Sequence, residues 1–158
     1  MAVPLPSLRQ PPGSNSCLPT AVRAVLLYYE LDVSGEEASL WCRETPDGCW
    51  LDDALDGLRD AGFDIEDLTG VTTEEMRLRV TAEPDPQPVI VTVKDPFVPS
   101  GYDHAVVVTN VGRPSPEDMP LASVEFMDPL TGRLEQDESG AFWDRWDFAG
   151  GRAFAIGP

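Results

Sequence analysis

Basic residues are scarce in this sequence. Lys94 is the only lysine among 11 Lys+Arg residues, which face 28 Asp+Glu residues, so the formal net charge is −17. A field of that sign repels phosphate backbones and argues against nucleic acid as a partner. Acid-rich, lysine-poor surfaces suit proteins that live in high salt, where screening weakens self-repulsion. A GC-rich genome also replaces lysine by arginine, and both explanations of the composition stay open.

Long apolar segments and cysteines are also few. No apolar run approaches the roughly 18–20 residues of a membrane span. Residues 1–6 show neither the basic region nor the apolar stretch of a signal peptide. The three cysteines are an odd number, which makes a disulfide framework improbable. These absences predict a soluble cytoplasmic protein.

The chain is long enough for one hydrophobic core. With 158 residues, 42% hydrophobic and 25% charged, it has ordinary globular usage, and we expect a single domain over residues 1–158. Helical spacing and capping residues predict helices over 17–29, 34–42, 51–61 and 72–80.

The second half of the chain changes period. Runs rich in β-branched residues predict strands over 89–93, 105–109, 124–127 and 153–156, with a short helix or turn over 139–146. Helices first and strands after indicate an α+β fold in which N-terminal helices precede an antiparallel sheet.

Cys17 is the first candidate for chemistry. It follows the cap cluster Ser14-Asn15-Ser16 and opens a long apolar helix. A helix N-terminus stabilises a thiolate and lowers the pKa of a thiol, although most free cysteines are simply small buried residues.

His104 is the only histidine, which rules out most zinc constellations but is sufficient for a Cys–His pair. An incidental histidine at a strand edge is the alternative.

Two aspartates could orient the imidazole. Asp103 is adjacent to His104 on a strand and should point to the opposite face, whereas Asp128 ends the next strand and can reach the ring if the strands pair. We therefore favour Asp128, although Asp128-Pro129 also fits a turn.

Gln10 lies seven positions before Cys17. Its side-chain amide could join the Cys17 backbone N–H in binding an oxyanion.

The order Gln10, Cys17, His104, Asp128 resembles that of papain-like cysteine peptidases, most closely the bacteriocin-processing (double-glycine leader) peptidases and their stand-alone relatives. The matching stretches span nearly the whole chain and comprise residues 10, 17–21, 25–29, 88–91, 103–108, 124–129, 142–146 and 153–156.

The resemblance implies a papain-like fold and a role for each of the four residues. Cys17 would be the nucleophile, His104 the general base, Asp128 its orienter and Gln10 the oxyanion donor. The implied function is hydrolysis of a peptide or amide bond in a peptide or protein substrate, through a thioester and without a cofactor or metal. The sequence departs from the family at Leu18, where the family has glycine, and in a longer connection over residues 113–123.

Three other functions stay open at this stage. The same intermediate would serve a side-chain amidase or acyl transferase, and the fold could also be a catalytically silent peptide-binding domain. An acidic interaction or inhibitor module is a third class.

Other conspicuous residues have structural explanations. We expect Cys42 and Cys49 to pack at helix ends rather than to form a bridge or a metal site. We expect the acidic pairs Asp52-Asp53 and Glu74-Glu75 to lie on solvated helix faces, and Trp143 and Trp146 to lie in the core.

Overall fold

The computed structural model describes residues 3–94, 103–113 and 122–157 of the chain. In these ranges, six strands form one sheet with the order β1-β6-β2-β3-β4-β5, and every neighbouring pair is antiparallel. The strands are β1 (Asp64–Asp67), β2 (Val89–Val93), β3 (His104–Val111), β4 (Val124–Asp128), β5 (Arg133–Asp137) and β6 (Ala153–Gly157). The helices are α1 (Cys17–Tyr28), α2 (Gly35–Trp41), α3 (Leu51–Asp60), α4 (Thr73–Val80) and α5 (Ala141–Phe148). The predicted α+β class with an antiparallel sheet is confirmed.

The helices cover both faces of the sheet. Helices α1, α2 and α3 share a buried core with one face, and α4 and α5 share a second core with the other. Successive side chains of a strand point to opposite faces, so the alternation along β2 separates these cores. Ile90 lies in the core with α1, whereas Val91 and Val93 lie in the core with α5.

Local capping explains where the short helices begin. Before α2, the Ser34 hydroxyl accepts a hydrogen bond from the Glu37 N–H, and the Glu37 carboxylate accepts one from the Ser34 N–H. This is a complete capping box, as the sequence predicts. Before α4, the Thr72 hydroxyl accepts a hydrogen bond from the Glu75 N–H. The predicted helix boundaries therefore agree with the structure within about two residues.

Two strands were absent from the prediction. β1 and β5 are the edges of the sheet, and their sequences, DIED and RLEQD, are polar. An edge strand pairs with one neighbour only and needs few apolar side chains, so it gives little periodic signal. β1 also lies between α3 and α4, so the simple order of helices followed by strands is wrong at that point.

The remaining structural interpretations agree with the fold. Cys42 and Cys49 are free thiols near the helix ends, and the two acidic pairs are exposed in the first turns of α3 and α4. Trp143 and Trp146 are buried, and their Nε1–H groups donate to the carbonyls of Ala122 and Arg152. Most of the 113–123 connection lies outside the described residues. No described helix has both the length and the apolar character needed to cross a bilayer.

Candidate active site

Cys17 is the first residue of α1, which at 12 residues is the longest helix in the described ranges. The first backbone N–H groups of a helix have no intrahelical acceptor, and together they form the positive end of the helix dipole. The Ser16 side chain does not cap these groups. The thiol sulfur also accepts a hydrogen bond from the Ala105 N–H at 3.5 Å. Cys17 therefore lies where several donors favour its thiolate.

His104 and Asp128 come together because β3 and β4 are antiparallel neighbours. His104 begins β3 and Asp128 ends β4, so both lie at the same end of the sheet. The His104 Nε2 and Asp128 Oδ1 atoms are 2.5 Å apart. The Cys17 thiol lies close enough to the same ring to shift its pKa, and since Nε2 faces Asp128, the nitrogen left for sulfur is Nδ1. Asp103, the competing aspartate, is exposed.

The turn after β4 holds the Asp128 carboxylate in place. Its Oδ1 also accepts a hydrogen bond from the Leu130 N–H at 2.9 Å. The Asp128 carbonyl accepts from the Gly132 N–H at 2.8 Å, and Gly132 has a φ of +68°, which a residue with a Cβ rarely adopts. The turn residues noted in the sequence thus serve the orientation of the aspartate rather than compete with it.

Gln10 reaches the site from the N-terminal segment. Its backbone N–H donates to the Pro129 carbonyl at 2.7 Å, which ties this segment to the turn after Asp128. Its side-chain Nε2 donates to the Ser14 carbonyl at 2.7 Å. An amide nitrogen carries two hydrogens, so one N–H is left to donate elsewhere. The side chain is buried and lines the same cavity as Cys17.

The pKa shifts of Cys17 and His104 favour opposite charges on the pair. Burial raises the pKa of the Cys17 thiol, but the contact with the His104 imidazolium and the backbone N–H groups of Ala105 and Leu18 together leave it below its ordinary value. Burial lowers the pKa of His104, but the contacts with Asp128 and Cys17 raise it to about 9. Burial raises the pKa of Asp128, but the contact with His104, the hydrogen bond from the Leu130 N–H and the charge of Arg145 together leave it below its ordinary value. The arrangement thus favours a thiolate beside an imidazolium.

The other two thiols have the opposite tendency. Burial, with the nearby Cys49 and Glu44, raises the pKa of Cys42 well above its ordinary value. Burial, with Glu44 and Cys17, raises the pKa of Cys49 to about 12. Cys42 and Cys49 therefore stay protonated near neutral pH, and Cys17 alone of the three has a lowered pKa.

Cys17 opens into a cavity of about 300 Å³, which we call the cleft. Three parts of the chain line it: the N-terminal segment with the start of α1, which we call the first wall, the segment before α3, which we call the second wall, and the ends of β2 and β3, which we call the floor. The lining residues are Gln10, Ser14, Asn15, Cys17 and Leu18 on the first wall, 47–51 on the second, Thr92, Asp103, His104 and Ala105 on the floor, and Leu130. Trp50 and Leu130 are 66% and 57% exposed, so the cleft has an apolar rim. Leu18, the departure from the family pattern, does border it.

The structure brings together all four residues singled out in the sequence. Sequence reasoning missed the second wall and Thr92. For the second wall, the sequence offered one indication of an exposed binding residue, which is Trp50 after a turn that contains proline and glycine. Thr92 lies inside a β-branched run, and nothing in the sequence distinguishes it from a residue of the core. Within the described ranges, no three His, Cys, Asp or Glu side chains are grouped to hold a metal ion.

The comparisons with known proteins bear on the fold. No protein-family model matches the sequence, and no curated protein matches it. Solved structures share its architecture, among them the following three. The peptidase domain of Streptococcus ComA, a bifunctional ABC transporter involved in a quorum-sensing pathway, has a TM-score of 0.69 at 17% identity, covering 98% of this chain and 97% of that one.

The other two structures are equally extensive matches. A double-glycine-motif protease from an AMS/PCAT transporter, in complex with the leader peptide, has a TM-score of 0.70 at 18% identity, covering 99% of this chain and 94% of that one. A C39-like peptidase from Bacillus anthracis has a TM-score of 0.73 at 18% identity, covering 100% and 98%. The chain therefore has the papain-like fold of C39 peptidase domains, the group that the sequence resembles.

Proposed function

We propose that this chain is a cysteine peptidase that hydrolyses a peptide or amide bond through a thioester on Cys17. The observation that carries the proposal is the chain of contacts from Cys17 through His104 to Asp128, at a helix N-terminus that opens into a cleft. A nucleophile in contact with a base that is in turn held by a third group is the arrangement that covalent catalysis requires.

Each residue has a defined part in the proposed reaction. The Cys17 thiolate attacks the carbonyl carbon, and the negative charge moves to the carbonyl oxygen. The Cys17 backbone N–H and the free N–H of the Gln10 amide donate to that oxygen. His104 then gives its proton to the leaving amine, and the carbonyl re-forms as a thioester.

The second half of the reaction reverses the proton transfer. Neutral His104 takes a proton from water, whose oxygen attacks the thioester carbon. Collapse of this second oxyanion breaks the carbon–sulfur bond and releases a carboxylic acid. The thiolate and the imidazolium are thereby restored. Asp128 stays ionised throughout and holds the ring with Nδ1 toward the sulfur.

A peptide suits the cleft better than a small amide. The cleft lies between two walls with exposed apolar side chains, Trp50 and Leu130, on its rim. An extended chain could contact both. The transporter protease of the same fold was solved with a leader peptide bound. We infer that the substrate is a peptide or a flexible protein segment.

The first test is reactivity of the thiols. We expect iodoacetamide to label Cys17 faster than Cys42 and Cys49 near neutral pH, with an apparent pKa below about 8.5, the value of a free thiol. Peptide mapping by mass spectrometry reads out each site. In His104→Ala the pH dependence of Cys17 labelling should move to higher pH, because burial then acts without the imidazolium. Equal labelling of all three thiols in the folded protein would contradict the assignment.

The second test is turnover. A mixture of unstructured peptides should be cleaved by the wild-type chain and not by Cys17→Ala, with a Cys42→Ala protein, whose thiol does not line the cleft, as the thiol control. Products analysed by mass spectrometry would show whether backbone or side-chain amides are cut. A wild-type chain that labels at Cys17 but cleaves nothing would instead support a catalytically silent peptide-binding domain.

A further inference from the structure

Trp50 lies on the rim of the cleft with its ring open to solvent. It immediately precedes α3 and is 66% exposed. The rings of the other three tryptophans pack against aromatic rings, in the pairs Trp41–Phe63, Trp143–Phe142 and Trp146–Trp143. Within the described ranges Trp50 has no such partner. Its indole therefore offers a large aromatic surface to whatever binds in the cleft.

A carboxylate lies three residues before Trp50, on the same wall. Asp47 belongs to a tight turn that is closed by two backbone hydrogen bonds between Thr45 and Gly48, each of 2.9 Å. The Asp47 N–H also donates to the Thr45 hydroxyl at 3.2 Å. A Cβ added to Gly48 would lie 3.4 Å from the Asn15 Cβ, so the turn lies against the first wall. These contacts hold Asp47, which is exposed, at the cleft.

The charge around the cleft is negative. Asp103 is a second exposed aspartate that lines it. None of the described lysine and arginine residues lines the cleft, and the positive charge of His104 is offset by the Asp128 carboxylate and the Cys17 thiolate. The whole chain adds a formal charge of −17. A cleft with this field attracts cationic groups and repels anionic ones.

An exposed indole beside a carboxylate has the chemistry to bind an arginine or lysine side chain. The aliphatic stem of such a side chain packs on apolar surface, which Trp50 and the exposed Leu130 supply at the rim. A cation over an indole face gains further attraction, and tryptophan is the best aromatic residue for this contact. Asp47 would pair with the charged head. An uncharged side chain of the same length would gain only the packing.

We propose that Trp50 and Asp47 are specificity-determining residues that select a substrate with an arginine or lysine side chain close to the scissile bond. This inference rests on the proposed function and names a class of substrate for it, a cationic peptide. The tryptophan provides the surface and the aspartate provides the charge. Removal of either group should therefore weaken the preference for a cationic side chain in a different way.

The experiment compares matched peptides on matched variants. Unstructured peptides carry arginine, lysine, norleucine, glutamine or glutamate at each of four positions around the scissile bond. Norleucine keeps the stem of lysine without its charge. The readouts are kcat/KM and, on a Cys17→Ala background, the Kd by calorimetry, both at about 0.01 M and about 1 M KCl.

The variants separate the aromatic contact from the charge. Trp50→Leu keeps an apolar side chain without the indole face, and Asp47→Asn keeps the shape without the charge. Phe148→Leu is the control for an exposed aromatic ring on α5, and Asp32→Asn is the control for an exposed carboxylate beyond the far end of α1 from Cys17. Circular dichroism checks that each variant is folded.

At one position the wild type should prefer arginine and lysine over glutamine and norleucine by about tenfold at low salt. The cation–π contact and the exposed ion pair should each contribute about two- to fivefold. Glutamate should be the poorest residue there. Trp50→Leu and Asp47→Asn should each lower the preference by about two- to fivefold, whereas Phe148→Leu and Asp32→Asn should keep it. High KCl should weaken the preference more in the wild type than in Asp47→Asn.

Three results would overturn the inference. The first is a wild type that accepts norleucine as well as lysine at every position, which would indicate an apolar site. The second is a preference that is unchanged in Trp50→Leu or in Asp47→Asn. The third is an equal loss in Asp32→Asn, which would assign the preference to the charge of the whole chain. If the wild type cleaves no peptide, the proposed function fails alone, and the same comparisons in the Kd values on Cys17→Ala decide.

Discussion

At the residue scale, the proposed mechanism makes the contact between Asp128 and His104 the determinant of the pH range of activity. His104 must carry its proton to give it to the leaving amine, and its pKa of about 9 means that it does so below that pH. We therefore expect kcat/KM to rise from acid pH as the Cys17 thiol loses its proton. It should fall again through about pH 9 as the imidazolium loses its own. Steady-state rates across this range measure the profile.

Asp128→Asn should move the alkaline limit of this profile to lower pH, because the carboxylate that raises the pKa of His104 is gone. The rate at the optimum should also fall, by less than the ~10⁴ that the same substitution costs a serine-protease triad, since a thiolate needs less help from its base. His104→Ala should abolish turnover. Steady-state rates between acid and alkaline pH measure both effects. Asp103→Asn is the comparison and should cost far less, and the reverse ranking would refute the assignment of Asp128.

Gln10→Ala tests the oxyanion donor. The loss of one preorganised donor should lower kcat by roughly 10²–10³ and leave KM little changed, because the interaction forms mainly in the transition state. The exposed Gln136 on β5 offers a control, and Gln136→Ala should keep wild-type kinetics. A Gln10→Ala protein that stays folded by circular dichroism and keeps its kcat would remove Gln10 from the mechanism.

At the element scale, the close packing of α2 and α3 positions the second wall of the cleft. A Cβ added to Gly57 on α3 would lie 2.0 Å from the Trp41 carbonyl oxygen at the end of α2. No side-chain rotation relieves a clash with backbone, so the helices would have to separate. The segment that joins them includes Asp47, Cys49 and Trp50, which line the cleft.

Gly57→Ala should therefore lower the free energy of unfolding by about 1–3 kcal/mol, as overpacking does, and should also raise KM. Denaturant unfolding and steady-state kinetics measure the two effects. Gly35→Ala is the matched control, because a Cβ at Gly35 meets nothing within 4 Å. It should be neutral or stabilising by about 0.4–1 kcal/mol. Equal stability of the two variants would show that α2 and α3 are not tightly packed.

At the scale of the whole molecule, the charge of −17 destabilises the folded chain by self-repulsion. Exposed ion pairs such as Arg43–Asp60 and Arg152–Asp52 offset little of this, since surface pairs contribute weakly. Raising KCl from about 0.01 M to about 1 M shortens the screening length from about 30 Å to about 3 Å.

We expect the Tm to rise over this range of KCl, because more repulsive than attractive pairs are screened. Differential scanning calorimetry measures it. An uncharged osmolyte at matched osmolality separates screening from general exclusion effects and should not reproduce the salt dependence. A Tm that falls with KCl would mean that the ion pairs outweigh the repulsion.

The local patterns of the sequence were sufficient for most elements of this fold. The capping residues Ser34 and Thr72 and the β-branched run over 89–93 are signals that act within a few residues, and the helices and strands they predict are present. The order of Gln10, Cys17, His104 and Asp128 was sufficient to name the candidate site. Strand alternation even separated Asp128 from Asp103, because the two-residue period determines which side chains share a face.

Tertiary structure decided what depends on neighbours distant in sequence. The polar edges β1 and β5 become strands only because β6 and β4 offer them backbone partners. Burial raises the pKa of both Cys17 and Cys49, and the two values diverge because Cys17 meets an imidazole whereas Cys49 meets a carboxylate. Thr92 is one more β-branched residue in the sequence, and only the pairing of β2 with β3, which puts it opposite Ala105, places it at the cleft. Propensity is a property of a few adjacent residues, whereas desolvation, charge and hydrogen-bond satisfaction depend on whatever the fold brings into contact.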